Sequence, residues 1–407
     1  MRRASHILGL LILACMAINC GDLKPHPFSV NVKNVILIVV DTLRANHLGF
    51  MGYERETSPF LDEFAAKSVV FENAYVTKSL TLPSFTCLFT GLHTINNKIY
   101  KNMWPLSEDL HHLTEDFQDA GFKSYFFSAS GILHSRYRMN KGFDVYIDAD
   151  PHPEEAWHII EKVTDEINKL DENSPPIFMA IHFWEPHSPY DPDPEVLSLF
   201  ADPEYEGPMD GSVEVLNNYI LRKIELNDAD VQHAIDRYDG EIRWLDDQLR
   251  EFFGFLDEKG LIDNSIIILT SDHGERLGED HIFQHRRDTE LELHIPLVYH
   301  FPSDLGAGTR IPALVENTDT LPTVMDILGI RLPKDIDGLS LEHLIGNPDA
   351  EHRDLLVSVG INDSGRFVYS HFTGKYRERV KLDIPEPEPV FLEEQDRERL
   401  RALGYLN

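Results

Sequence analysis

The chain has 407 residues, 42% apolar and 26% charged, which suits one large globular domain or two smaller ones. Its formal net charge of −32 excludes nucleic acid and anionic membrane surfaces as docking partners, because both would be repelled. An anionic substrate would need a local cation.

Arg2 and Arg3 precede an apolar run over residues 7–18, too short to span a membrane and suited to a signal-peptide core. Cys20 follows in Ala17-Ile18-Asn19-Cys20-Gly21, which has the form of a relaxed bacterial lipoprotein cleavage box. Residues 1–20 are therefore expected to direct export to the periplasm or outer envelope, with lipid anchoring at Cys20. Plain secretion is the alternative, and membrane contact runs through the lipid alone. Cys87 is then the one cysteine left in the mature chain, so no internal disulfide is expected and stability rests on the core.

Residues 21–30 read as a polar tether. Residues 35–40 (VILIVV) are an unbroken β-branched run that stops at Asp41-Thr42, the pattern of a strand buried on both faces. Residues 57–67 have helical spacing after a plausible cap, residues 111–120 read as a helix, and residues 123–128 as a strand. Residues 153–170 form an amphipathic helix. Residues 177–182 are a third buried strand, leading into Trp184-Glu185-Pro186-His187. The Pro- and acid-rich residues 189–211 predict an irregular excursion over the active face. Residues 227–259 read as one long helix or two. Residues 265–270, within SIIILTSDHGE, are a buried strand followed by Asp272, His273 and Glu275; residues 295–301 are a further strand, and 318–328 a short helix closed by Gly329. The alternation predicts an α/β fold with a mostly parallel sheet and helices on both faces. Residues 31–345 are assigned to the main domain. Residues 346–407 form a short C-terminal subdomain with a terminal helix over 393–403.

Two strands that each end in an acid, at Asp41 and Asp272, are what parallel α/β geometry produces around a site at the carboxyl ends of the strands. An acid beside an imidazole there suits a borderline metal, although Asp272-His273 alone could equally be a helix cap beside a surface histidine. Thr81-Leu82-Pro83-Ser84 opens a helical stretch and puts Thr81 near a helix N-terminus, as an anion site or as an ordinary cap. A Thr hydroxyl needs a base or metal to become a nucleophile. Cys87 reads as an inert core thiol, and His111 and His112 as surface residues. Glu275 either orients His273 or begins a helix.

The order and spacing of these stretches resemble the alkaline-phosphatase superfamily and, within it, the sulfatase-like branch. The similar stretches are VVDTLRANHLGFMGYERETSPFLDEFA (39–65), TLPSFTCLFTG (81–91), HFWEPHSPYDP (182–192), YDGEIRWLDDQL (238–249), TSDHGERLGEDHIFQH (270–285), IPLVYHFP (295–302), NTDTLPTVMDILGI (317–330), DGLSLEHL (337–344) and LRALGYL (400–406). The resemblance implies an alkaline-phosphatase-like sandwich. It implies a metal set of Asp41, Thr81, Asp272 and His273, with Thr81 as nucleophile and His187 and His285 as catalytic histidines on the leaving or transferred group. His182 and His281 lie near the site elements as substrate-binding candidates, with a supporting or surface role as the alternative for each. One divalent metal is implied, Zn²⁺ or Mn²⁺ over Ca²⁺ because His273 is a ligand; the sequence shows one ligand set and leaves a second metal open.

The departures from the branch pattern carry information. Sulfatases oxidise a Cys or Ser in C/S-x-P-x-R to formylglycine, whereas this chain has Thr81 there and Phe85 in place of the Arg. Thr42 follows Asp41 where the branch has a second acid, and Asn46 stands where relatives often carry an acid. The Thr–Asp–His set is similar instead to the superfamily's phosphodiesterases and phosphoethanolamine transferases. The expected function is therefore an exported metal-dependent hydrolase of phosphoesters, or a phosphotransferase, that passes through a covalent phosphothreonine at Thr81. Its substrate is a small anionic ester, with a lipid or glycan headgroup as candidates. A sulfuric-ester hydrolase without formylglycine and an inactive binding protein of the same fold are the rival readings.

Overall fold

The computed structural model describes residues 27–29, 31–149, 153–285 and 287–353, and the backbone of three strands between 356 and 382. Residues 1–20 with Cys20, most of the 21–30 tether and the expected helix over 393–403 lie outside the described residues. Among the described residues no helix is long and apolar enough to cross a membrane.

The strands are β1 (Asn34–Val40), β2 (Val69–Tyr75), β3 (Lys123–Phe127), β4 (Val145–Ile147), β5 (Ile177–Phe183), β6 (Ser265–Ser271), β7 (Arg276–Leu277), β8 (Phe283–Gln284), β9 (His294–His300), β10 (Thr309–Glu316), β11 (Leu356–Ile361), β12 (Phe367–Thr373) and β13 (Tyr376–Leu382). Eight of them make one sheet in the order β10-β2-β9-β6-β1-β5-β3-β4. Within it β9 runs against both neighbours and every other pairing is parallel. This is the mostly parallel sheet with helices on both faces that the alternation predicts.

The unbroken apolar runs in β1, β5 and β6 feed two cores at once. Val35, Leu37 and Val39 point to one face with Ile266, Ile268, Phe178 and Ala180. Ile36, Ile38 and Val40 point to the other with Ile267, Leu269, Met179 and Ile181. This is the period-2 alternation of a strand, invisible in the sequence because both faces are covered. The first face is closed by helices Thr81–Thr90, Leu113–Asp119 and Thr320–Ile327. Helices Pro59–Ala66, Ala156–Ile167 and Asp228–Glu258 close the second.

Asp228–Glu258 is a single helix, started by a reciprocal cap. Asn227 Oδ1 accepts from Ala229 N at 2.8 Å and Asp230 N at 3.1 Å, while Asp230 Oδ2 accepts from Asn227 N at 2.9 Å. The excursion after β5 holds the short helix Pro194–Leu197 and the helix Val213–Ile220.

Some sequence expectations need correcting. Strands β2 and β10 were not expected. β2 carries Glu72 and Asn73 mid-strand, and β10 lies at the sheet edge with exposed residues, so neither shows the continuous apolar signal. β11–β13 form an antiparallel three-stranded sheet in the tail, where no strand had been assigned. No helix begins at Glu275, since the β7–β8 ribbon follows it. His112 is fully buried, with Nδ1 3.1 Å from Lys141 O, and burial lowers its pKa to about 4. His111 is exposed and pairs with Asp116 at 2.7 Å, as a surface residue should.

Candidate active site

The register of three neighbouring strands builds the centre of the site. β1 pairs with β6 through Val40↔Ser271 and with β5 through Val39↔His182. One residue beyond the paired ends, Asp41 and Asp272 stand level. Alternation then puts Asp41 on the face of Val39, Asp272 on that of Ile268, and His182 on that of Ala180, which is one and the same face. The ligand atoms of Asp41, His182 and Asp272 all lie within 4.8 Å of one another, and all three residues are buried. His273 joins from the loop, with Nε2 3.4 Å from Asp272 Oδ2 and 3.8 Å from Asp41 Oδ1. His182 Nε2 is 3.3 Å from Asp41 Oδ2.

The backbone at the strand ends is held by specific bonds. Asp272 Oδ1 accepts from Thr42 N at 3.2 Å and from His273 N at 2.8 Å. Tyr238 Oη donates to Thr42 O at 2.7 Å and accepts from Arg44 N at 3.0 Å. Thr42 has φ of 54°, a rare value for a β-branched residue, and these contacts clamp that turn next to Asp41.

The helix Thr81–Thr90 closes the site from the same face. Phe85, one turn below Thr81, lays its ring edge-on to His182 at 5.2 Å, so Thr81 begins a helix face already in contact with the cluster. Phe85 also packs against Phe89 and Phe126, and the position where the branch has Arg is here an aromatic core residue. The approach to the helix is fixed by a buried ion pair, Lys78 Nζ to Asp288 Oδ2 at 2.5 Å, while Asp288 Oδ1 accepts from Ser79 N at 2.9 Å and Ser79 Oγ at 2.8 Å. Asn102 Oδ1 accepts from Leu82 N at 3.0 Å.

Two further histidines line up beside the cluster. His285 lies tilted against His273 with ring centroids 4.2 Å apart, touches Ser79 O through Nδ1 at 3.0 Å and meets His187 Nε2 at 3.3 Å through Nε2. His187 Nδ1 is 2.6 Å from Ser188 O, and the ring lies 3.9 Å from that of Trp184. His281 stands apart: it is exposed on the β7–β8 turn, with Nδ1 2.8 Å from Tyr219 Oη.

The electrostatics show what the cluster lacks. Both oxygens of Asp41, Asp272 Oδ2, His182 Nε2, His273 Nε2 and Thr81 Oγ1 are buried without a hydrogen-bond partner. Asp41 has its pKa driven well above the ordinary carboxylate value, first by burial and then by the Asp272 charge. Burial brings His182 down to about 4, leaving a neutral imidazole with one ring nitrogen free to act as a ligand. Buried polar atoms are normally satisfied, so two carboxylates and two imidazoles left facing each other fit a divalent cation. This donor set can hold a metal. By contrast, Cys87 is a buried thiol near Thr77 and Asn97, pushed up to about 12 by burial, and is inert as expected.

His182, a substrate-binding candidate from the sequence, stands among the carboxylates, with Nε2 3.3 Å from Asp41 Oδ2. The signal was available, since His182 ends a buried apolar strand as Asp41 and Asp272 follow theirs. Lys78, Asp288 and Asn102 were missed, because nothing in their spacing marks them as neighbours of Thr81.

Residues 33–330 match the family model described as Sulfatase. An ulvan-active sulfatase of Formosa agariphila is 25% identical over 354 residues, covering 80% of this chain and 67% of the relative. A multifunctional alkaline phosphatase superfamily protein of Trinickia caryophylli is 23% identical over 396 residues, covering 76% of each chain. Among solved structures, the phosphonate monoester hydrolase of Agrobacterium radiobacter superposes with a TM-score of 0.67 at 18% identity, over 86% of this chain and 89% of that one; at that identity the likeness shows the fold. The chain belongs to the sulfatase family, within the alkaline-phosphatase superfamily of hydrolases.

Proposed function

We propose that this protein is an exported metal-dependent phosphoester hydrolase in which Thr81 is the nucleophile. The observation that supports this most is Thr81 itself: a buried hydroxyl without a hydrogen-bond partner, at the first residue of a helix whose next turn touches His182. Asp41, His182, Asp272 and His273 would hold the metal, which supplies positive charge that lowers the Thr81 pKa and polarises the ester. Zn²⁺ or Mn²⁺ suits this mixed N/O set better than Ca²⁺.

With its proton already lost to solvent, Thr81 Oγ1 attacks phosphorus in line, an Oγ1–P bond forms as the bond to the leaving oxygen breaks, and His187 or His285 donates a proton to that oxygen. Water then attacks the phosphothreonine, the same histidine pair takes the proton from water, and the P–Oγ1 bond breaks to return Thr81 to its deprotonated form. A threonine cannot become formylglycine, and Phe85 offers no guanidinium, so formylglycine-dependent sulfate ester cleavage lacks two of its parts here. With these residues in place, phosphoesters are favoured over sulfate esters.

The test uses the full chain loaded with Zn²⁺ or Mn²⁺ and turnover of nitrophenyl phosphodiester, phosphomonoester and sulfate, with Thr81→Ala as control. Phosphoester turnover that disappears in Thr81→Ala supports the reading. Turnover of sulfate alone would restore the sulfatase reading, and stoichiometric metal without any turnover would favour a binding protein.

A further inference from the structure

Beside His187 lies a cleft of about 410 Å³ whose chemistry the cluster does not use. Trp184 and Trp244 stand among its walls, Glu185 and Glu241 are buried in it, and the exposed Glu155, Asp191 and Asp193 also line it. Five of its ten lining residues are acidic and none is Lys or Arg, so acids outnumber the nearby cation, Arg237, which pairs with Asp191 at 3.0 Å.

The two inner carboxylates are built in rather than adventitious. Glu185 is 6% exposed; its Oε1 accepts from Ala156 N at 2.8 Å, while its Oε2 has no hydrogen-bond partner. Glu241 Oε1 accepts from Asp191 N at 2.6 Å. Glu241 and Trp244 are three residues apart on Asp228–Glu258 and share one helix face. Burial raises Glu185 to about 7, and burial with the Glu185 charge raises Glu241 well above its ordinary value, against the opposing pull of Arg237. Arg237, outside the lining, is engaged by Tyr190 O at 2.8 Å and Asp191 at 3.0 Å.

We propose that this cleft seats an ammonium group, so that the ester cleaved at the adjoining cluster carries a cationic amine or quaternary ammonium arm. The proposal rests on the hydrolase reading for its second half. Indole faces beside carboxylates are the environment that an organic cation prefers. A hard divalent ion would use the carboxylate oxygens alone and gain nothing from the two indoles, which an organic cation would use. An anionic or neutral arm gains nothing from five acids, and the −32 net charge favours a substrate whose anionic ester is offset by a cation. The cleft also connects with the reacting centre. His187 lines it, His187 Nε2 meets His285 Nε2 at 3.3 Å, and the His285 ring lies tilted against that of His273 with centroids 4.2 Å apart. An arm in the cleft thereby places its ester toward Thr81.

The test has a binding arm and a kinetic arm, both on the full chain. Tryptophan fluorescence and calorimetry follow titration with choline chloride, glucosamine hydrochloride and the uncharged 3,3-dimethylbutanol, with and without Zn²⁺. At least one cation is expected to saturate about tenfold more tightly than the neutral alcohol, in Thr81→Ala as in the parent chain. The choline-to-glucosamine ratio distinguishes a headgroup from an amino sugar. Glu241→Gln and, independently, Trp244→Ala should each weaken cation binding about tenfold. In the kinetic arm, kcat/KM for nitrophenyl 2-aminoethyl phosphate should exceed that for nitrophenyl ethyl phosphate about tenfold, and Glu241→Gln should collapse that ratio. Equal binding of cation and neutral alcohol overturns the proposal, as does a fluorescence response to CaCl₂ with none to choline. Cation binding without turnover of any ester would uphold the ammonium site while sinking the hydrolase reading. Turnover with equal ratios and no cation binding would do the reverse.

Discussion

Asp41→Asn should move stability and metal binding in opposite directions. In the metal-free protein Asp41 and Asp272 face each other with ligand atoms within 4.8 Å, and neither Asp41 oxygen has a hydrogen-bond partner. Two like charges at that separation repel by about 3 kcal/mol at an effective dielectric of 20. Proton uptake by Asp41, whose pKa is raised by burial and by Asp272, relieves part of this. Removing one charge should therefore stabilise the metal-free form by on the order of 1–3 kcal/mol, a gain of a few degrees in Tm for a chain of this size. Metal reverses the sign. An ion present at about 1,000 times its Kd adds about 4 kcal/mol to the parent chain, and a roughly thousandfold loss of affinity in Asp41→Asn reduces that to about 0.4 kcal/mol. Thermal melts in EDTA and in excess Zn²⁺ check both halves. A variant that melts lower than the parent in EDTA, or keeps the full metal-induced shift, would refute the assignment of these acids as an unpaired metal site.

Asp288→Ala strands a buried Lys78 ammonium and should cost about 3–5 kcal/mol, whereas the double change Lys78→Met/Asp288→Leu should recover most of it; urea unfolding distinguishes the two. Asp246, which accepts from Phe60 N and Leu61 N at 2.8 Å each, is raised to about 7 chiefly by burial. Its pKa is higher folded than unfolded, so its contribution is fully present below about pH 4 and is lost as pH rises toward 7. Asp246→Asn should flatten the fall in stability across that window by on the order of 2–4 kcal/mol, read from denaturant midpoints at pH 4.5 and 7.5. His187→Ala should slow cleavage of an alkyl phosphoester by roughly 10²-fold or more yet affect a nitrophenyl ester less, because nitrophenoxide needs little protonation; equal losses would deny His187 the acid role.

Much of this architecture was legible in the sequence. The runs over 35–40, 177–182 and 265–270 declared themselves as buried parallel strands by their unbroken apolar character, and Asp41 and Asp272 by where those runs stop. The same continuity hid which face each residue takes. The β1/β5 register that sets His182 beside Asp41 is therefore not readable from the run itself. β2 and β10 escaped because mid-strand acids and an exposed edge blur the period. The Lys78–Asp288 pair spans 210 positions, and the Glu185–Glu241 cleft draws on a loop and a distant helix. No local pattern encodes such contacts, since they exist only once the sheet order is fixed.

The claim that organises this account is that Thr81 carries the reacting group. It is tested most directly by quenching the metal-loaded chain in acid during turnover of nitrophenyl phosphodiester and mapping the modified peptide by mass spectrometry. The prediction is a phosphoryl group on Thr81 that still carries the diester's second ester group, absent from Thr81→Ala together with turnover. Undiminished turnover in Thr81→Ala, or an adduct on another residue, would contradict it.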